Sequence, residues 1–109
     1  MDRRVQKVIL LIEEDIRKKL TLEEMAQTVN LSPSYLYHLF KSETGVSPHR
    51  YLKMLRMKRA KELLETTFMS IKQIVAVTGT NDGSHFVRDF KKQYTITPTQ
   101  YRRAHSRSV

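Results

Sequence analysis

Apolar residues recur at helical spacing from one end of the chain to the other. Val5, Val8, Ile9, Ile12 and Ile16 fall at i, i+3, i+4 intervals and predict a helix over about Arg3–Lys19. Arg17, Lys18 and Lys19 form its last turn, where cations suit the helix dipole. Thr21-Leu22-Glu23-Glu24 reads as a capping box opening a short helix with Leu22, Met25, Ala26 and Val29 on its apolar face. Asn30, which tolerates the left-handed region, makes the turn. Ser32-Pro33 restarts a helix as N-cap and first helical residue, with Leu36, Leu39 and Phe40 inward, and Gly45 stops it. Ser47-Pro48 opens a longer helix to about Thr66, with Tyr51, Leu52, Leu55, Ala60, Leu63 and Leu64 as its stripe; it is about 28 Å long at 1.5 Å per residue. Ser70 to Gln73 is a second capping box, followed by Ile71, Ile74, Val75 and Thr78 on one face and a turn at Gly79. Asp82 is read as the cap of the next helix, with Phe86 and Phe90 inward. Thr97-Pro98-Thr99-Gln100 caps a last helix that holds Tyr101, and the tail from His105 to Val109 is expected to fray. No segment has the alternation of a strand, so the expected class is all-α.

The pattern is written twice. Ser32 to Leu52 and Asp82 to Arg102 align at an offset of fifty residues: Ser34 on Ser84, Leu36 on Phe86, Phe40 on Phe90, Lys41 on Lys91, Pro48 on Pro98, Tyr51 on Tyr101. The short helices before them align at forty-nine. Each copy is a short helix, a turn and a second helix. The expected organisation is a first lobe over 1–47, a linker helix over 48–66 and a second lobe over 67–109.

Composition narrows the function. With no cysteine, disulfides and thiolate metal sites are excluded, which is compatible with a reducing cytoplasm. No apolar run is long enough to span a bilayer, and Met1-Asp2-Arg3-Arg4 is too polar to begin a signal peptide. Twenty Lys and Arg against eleven Asp and Glu leave a net charge of +9. The charge is segregated. Val46 to Lys61 carries Arg50, Lys53, Arg56, Lys58, Arg59 and Lys61 with no acid, and Arg88 to Val109 carries Arg88, Lys91, Lys92, Arg102, Arg103 and Arg107 against Asp89. The acids sit elsewhere, as in Glu13-Glu14-Asp15. A basic face of this kind fits a polyanion, and nucleic acid first.

The outward faces of the second helix in each copy carry the candidate site. A helix that reads DNA is apolar inside and hydrogen-bonding or basic outside, with its N-terminal residues at base edges. In the first copy Ser34, Tyr37, His38 and Lys41 point outward and Tyr35 lies at the border; in the second, Ser84, Val87, Arg88 and Lys91 point outward and His85 lies at the border. Arg88 can pair with guanine O6 and N7, and Val87 can touch a thymine methyl. The serines, Tyr37 and His38 can bond to bases or phosphates. Lys41 and Lys91, later on the same face, suit phosphate. The helix N-termini at Ser32 and Asp82 offer N–H groups to phosphate, although the Asp82 carboxylate opposes that at its own end. His38, His49, His85 and His105 lack the i, i+4 spacing of a helical metal pair, so neither a metal nor a cofactor is expected. No glycine-rich phosphate loop, cysteine nucleophile or G-x-S-x-G elbow suggests an enzyme. A basic helical module for RNA or a protein partner remains the other reading.

The residues also resemble a family. "TLEEMAQTVNLSPSYLYHLFKSETGVSPHRYL", "LRMKRAKELLE" and, most specifically, "IVAVTGTNDGSHFVRDFKKQYTITPTQYR" are similar to the DNA-binding domain of AraC/XylS transcription regulators, over about Val5–Arg103. The departures are Val75 for the usual alanine, Thr78 for valine, Thr80 for phenylalanine, His85 for tyrosine and Thr95 for glycine; polar residues at 78 and 80 are expected to loosen the second lobe. The resemblance implies seven helices in two helix-turn-helix lobes joined by a long helix, and two recognition helices in successive major-groove segments of double-stranded DNA. It places base contacts at Ser34, Tyr37, His38, Ser84, His85 and Arg88. It also implies transcription control through RNA polymerase, in a stand-alone regulator or in the excised C-terminal domain of a longer chain with a sensor or receiver.

Overall fold

A computed structural model describes residues 1–80 and 83–105 of the chain. It holds seven helices: α1 (Arg3–Glu14), α2 (Leu22–Thr28), α3 (Pro33–Thr44), α4 (Pro48–Thr66), α5 (Ile71–Thr78), α6 (Gly83–Tyr94) and α7 (Pro98–His105), with no strand among the described residues.

Local chemistry sets most of the boundaries. Ser32 Oγ accepts from the Tyr35 N–H at 3.1 Å and Ser47 Oγ from the Arg50 N–H at 3.2 Å, each just before a proline. Ser70 and Gln73 form a complete capping box, with side chain to backbone bonds of 2.8 and 3.1 Å, and Thr97 and Gln100 repeat it at 2.9 and 3.1 Å. At α2, Thr21 Oγ1 accepts from the Glu24 N–H, while the Glu24 carboxylate accepts from the Thr21 hydroxyl. Asn30 (φ 57°), Gly45 (φ 86°) and Gly79 (φ 79°) take the left-handed turns. The proposed cap at Asp82 lies outside the described residues.

α1 ends five residues before the point its periodicity predicts. Asp15 leaves the helix in an extended conformation, and its carboxylate accepts from the Arg17 N–H at 3.0 Å. That local bond offers the backbone an alternative to the next helical turn. Ile16 still packs on the core, so its apolar spacing survives while the helix does not. At the other end His105 closes α7, with its ring stacked on Tyr101 at 4.0 Å and Nδ1 3.0 Å from the Tyr101 carbonyl.

Contacts divide the chain into Met1–Leu55 and Arg56–Val109, a boundary inside α4. The buried registers explain it. Val5, Val8 and Ile12 of α1 are fully buried in the first unit; Met57, Ala60 and Leu64 of α4, fifty-two residues on, fill the same places in the second. The first half of α4 serves the first unit as α7 serves the second. Phe40 meets Tyr51 edge to face at 5.6 Å, and Phe90 meets Tyr101 edge to face, also at 5.6 Å. Each unit is therefore four helical segments, and α4 supplies the last of one and the first of the other.

The second unit keeps its polar residues bonded. Thr78 is fully buried, and its hydroxyl donates to the Ile74 carbonyl at 2.7 Å and lies 3.2 Å from the Thr80 hydroxyl. The Tyr101 hydroxyl donates to Glu65 Oε1; burial first, and then that bond, pushes its pKa up to about 12. Arg102 spans the end of α4, donating to the carbonyls of Leu64 (3.3 Å), Thr67 (3.2 Å) and Met69 (2.6 Å). The Thr66 and Thr67 hydroxyls also donate to the Glu62 and Leu63 carbonyls at that helix end.

Thr95 stands where the first unit has Gly45, in the left-handed region at φ 72°. That conformation costs a β-branched residue about 1–3 kcal/mol. Thr95→Gly is expected to stabilise the second unit by about 1 kcal/mol, once the greater freedom of glycine in the unfolded chain is deducted. Gly45→Thr should do the reverse, since a Cβ at Gly45 meets nothing within 4 Å and only conformation opposes it. Thermal melting of both variants measures the pair.

Candidate nucleic-acid interface

α3 and α6 hold the predicted residues because each has a buried stripe of two aromatic or aliphatic side chains four residues apart. Leu36 and Phe40 are fully buried in α3, and Phe86 and Phe90 in α6. Everything a third of a turn or more from those stripes faces out. Ser34, Tyr35, His38 and Lys41 of α3 are exposed, as are Ser84, His85, Val87, Arg88 and Lys91 of α6. The two sets share a position in their own units; each unit presents its own surface.

The α3 surface differs in one respect from its periodicity. Tyr35, placed at the border, is 53% exposed, whereas Tyr37, placed outward, is half-buried. Tyr37 meets the His38 ring edge to face at 5.4 Å, and Lys41 Nζ lies 5.9 Å from its ring centroid. A cation over an aromatic face is an attractive arrangement that leaves the ammonium free to meet an anion on its other side. Ser32 caps α3 with its hydroxyl, so anything it offers a phosphate comes beside that bond.

The α6 surface is simpler. Ser84 and His85 occupy the first turn, and Arg88 follows on the same side. The Arg88 side chain is 67% exposed, with Nε 3.9 Å from Asp89 Oδ1. An exposed pair at that distance contributes little, and the guanidinium can exchange it for a stronger bidentate partner. Asp89 lies mostly covered, so the positive end is what reaches solvent.

Two arginines behave in ways their charge alone does not reveal. Arg102, counted with the basic run, is engaged with three backbone carbonyls inside its unit and so is removed from the basic face. Arg4 lies against α3: its guanidinium sits 5.6 Å from the Tyr35 ring centroid, and it is paired with Asp2. That pairing holds the Asp2 carboxyl down to about 2 and raises the Arg4 guanidinium. No periodicity signal connects Arg4 with Tyr35, thirty-one residues later. Burial lowers the Arg56 guanidinium. Among the described residues no group of His, Asp and Glu could hold a metal ion, and no helix is long and apolar enough to cross a membrane.

The relatives agree with this architecture. Residues 25–104 match a family model described as a helix-turn-helix domain. The lactose operon transcription activator of Staphylococcus xylosus is 36% identical over 98 residues, covering 90% of this chain and 35% of that protein. The C-terminal domain of AraT, a response regulator from Geobacillus stearothermophilus, superposes with a TM-score of 0.91 at 34% identity, over 98% of this chain and 89% of that one. A transcriptional regulator of Chromobacterium violaceum, with an AraC-type DNA-binding domain, gives 0.86 at 31% identity, over 97% and 95%. The chain belongs to the AraC-type helix-turn-helix family, whose members are DNA-binding transcription regulators of bacteria. It spans about a third of the length of the Staphylococcus relative.

Proposed function

We propose that the chain reads double-stranded DNA with both copies of its helix-turn-helix, α3 in one major groove and α6 in the next segment of the same face. The observation that carries this reading is the repeat itself: two helices with the same buried stripe and the same polar, basic outer face, in one chain. One such helix reads only a few base pairs. Two on one chain gain affinity by linkage without dimerisation. In this reading 1–47 and 67–109 are the reading lobes and the helix over 48–66 sets their spacing. Where a fixed spacing of the readers departs from that of a straight duplex the DNA must bend, which costs about 1–6 kcal/mol and favours deformable sites.

The residues divide by role. Ser34, Tyr37 and His38, and Ser84, His85 and Arg88, touch base edges. Val87 packs on a thymine methyl. Tyr35 stands beside the first group. Lys41 and Lys91 hold phosphates, and Ser32 lies at the helix N-terminus that does the same. The regulation this serves acts in the bacterial cytoplasm through RNA polymerase, either in a stand-alone regulator or, if the native polypeptide is longer, under the control of a sensor or receiver domain; AraT is itself a response regulator. Catalysis has no part in it.

Salt dependence tests the division. The logarithm of the binding constant for a preferred duplex should fall linearly with the logarithm of salt concentration, and Lys41→Ala should lower that slope by about one while weakening all sequences alike. If Lys41→Ala leaves the slope unchanged, Lys41 is not a phosphate contact.

A further inference from the structure

Tyr35 is a large, exposed side chain on the first turn of α3, where a reading helix meets base edges. Left alone, it would sample several rotamers in solvent, and ordering one of them on DNA would weaken binding. It is not left alone. The Arg4 guanidinium lies 5.6 Å from its ring centroid. Arg4 is itself fixed: Nε is 3.2 Å from Asp2 Oδ1 and Nη2 is 3.0 Å from Asp2 Oδ2. Asp2 is fixed in turn, because Oδ1 caps α1 through the Arg4 N–H at 2.7 Å and its own N–H donates to Glu43 Oε1 at 2.7 Å, near the far end of α3. The start of α1 thus touches α3 at both ends.

The geometry points to Arg4 as a positioning residue for sequence reading: clamped by Asp2, it holds the Tyr35 ring in the orientation in which α3 presents it to a base. The inference rests on α3 being a reading helix. It differs from a phosphate role for Arg4, because the bidentate partner already satisfies that charge and an intact Asp2 carboxylate beside it repels phosphate. Chain order conceals the arrangement, since Arg4 and Tyr35 lie on different helices thirty-one residues apart.

The test uses the full chain and a duplex selected from a random library, with each base of the site varied singly. Tyr35→Ala locates the base position whose preference Tyr35 sets. Arg4→Met should lower preference at that same position about two- to five-fold, the range of an exposed cation–π contact. It should leave the salt slope unchanged and add nothing in the Tyr35→Ala background. Arg4→Lys, which keeps a cation over the ring, should restore part of the preference, and thermal melting of each variant separates this from unfolding. Three outcomes overturn the proposal: Arg4→Met weakens every sequence alike and lowers the salt slope; its loss multiplies with that of Tyr35→Ala; or only melting changes. If Tyr35→Ala alters no base preference while the selected site is still bound, Tyr35 reads no base and the proposal falls, while the reading by Ser34, Tyr37 and His38 stands.

Discussion

Arg102→Met should lower the stability of the 56–109 unit by about 2–4 kcal/mol. The guanidinium donates to three backbone carbonyls, at Leu64, Thr67 and Met69, and each hydrogen bond to a charged group is worth about 1.5–3 kcal/mol with strong non-additivity. Methionine fills a similar length with no donor. It leaves the Leu64 carbonyl at the end of α4 without the partner that now covers it, and the turn from Thr66 to Ser70 loses its anchor on α7. The corresponding residue of the first unit is Leu52, buried at 3% exposure, so that unit solves the same packing problem with an apolar side chain. The effect should therefore be local. Thermal melting should shift by about 4–8 °C per kcal/mol for a unit of this size. Hydrogen exchange should speed up at amides of α5 and α7 and stay unchanged in α2 and α3. A melting shift under about 2 °C would show that Arg102 is not an anchor.

Arg88→Ala should cost about 1–3 kcal/mol of binding to a preferred duplex and relax preference at one position, with little change in melting temperature. Its side chain is mostly exposed and its neighbour Asp89 is at 3.9 Å, so folding has little to lose. On DNA the guanidinium can trade that loose contact for two parallel bonds to guanine O6 and N7, and a truncated side chain leaves those acceptors unpaired. Affinity for variant duplexes, measured base by base, distinguishes this from a phosphate role. Equal weakening across all sequences would move Arg88 to the backbone-gripping set with Lys91.

Much of this arrangement is legible in the sequence because it is local. The caps at Ser32, Ser70 and Thr97 and the left-handed turns at Asn30, Gly45 and Gly79 depend on residues within four positions, and their signatures are short. The buried stripes of α3 and α6 follow from period alone. What the pattern hides is set by contacts between distant residues or by competition. The stop of α1 at Glu14 arises because the Asp15 side chain bonds the Arg17 N–H, and the apolar spacing runs on to Ile16 regardless. The inward role of Arg102 escapes a count of charges, which cannot see a carbonyl thirty-three residues away. The double service of α4 is masked by a change in offset, from fifty between α3 and α6 to fifty-two between α1 and α4. The exposure of the α3 and α6 residues is readable from one helix at a time. Which of them meets a base depends on the groove each enters, and the contact of Arg4 with the Tyr35 ring is marked by no repeat.

The most direct test of the double-reader account is selection of the purified chain against a randomised duplex library near physiological salt. The account predicts two short enriched blocks with centres about ten base pairs apart, one for each reading helix. A single block, or no enrichment at all, would contradict it.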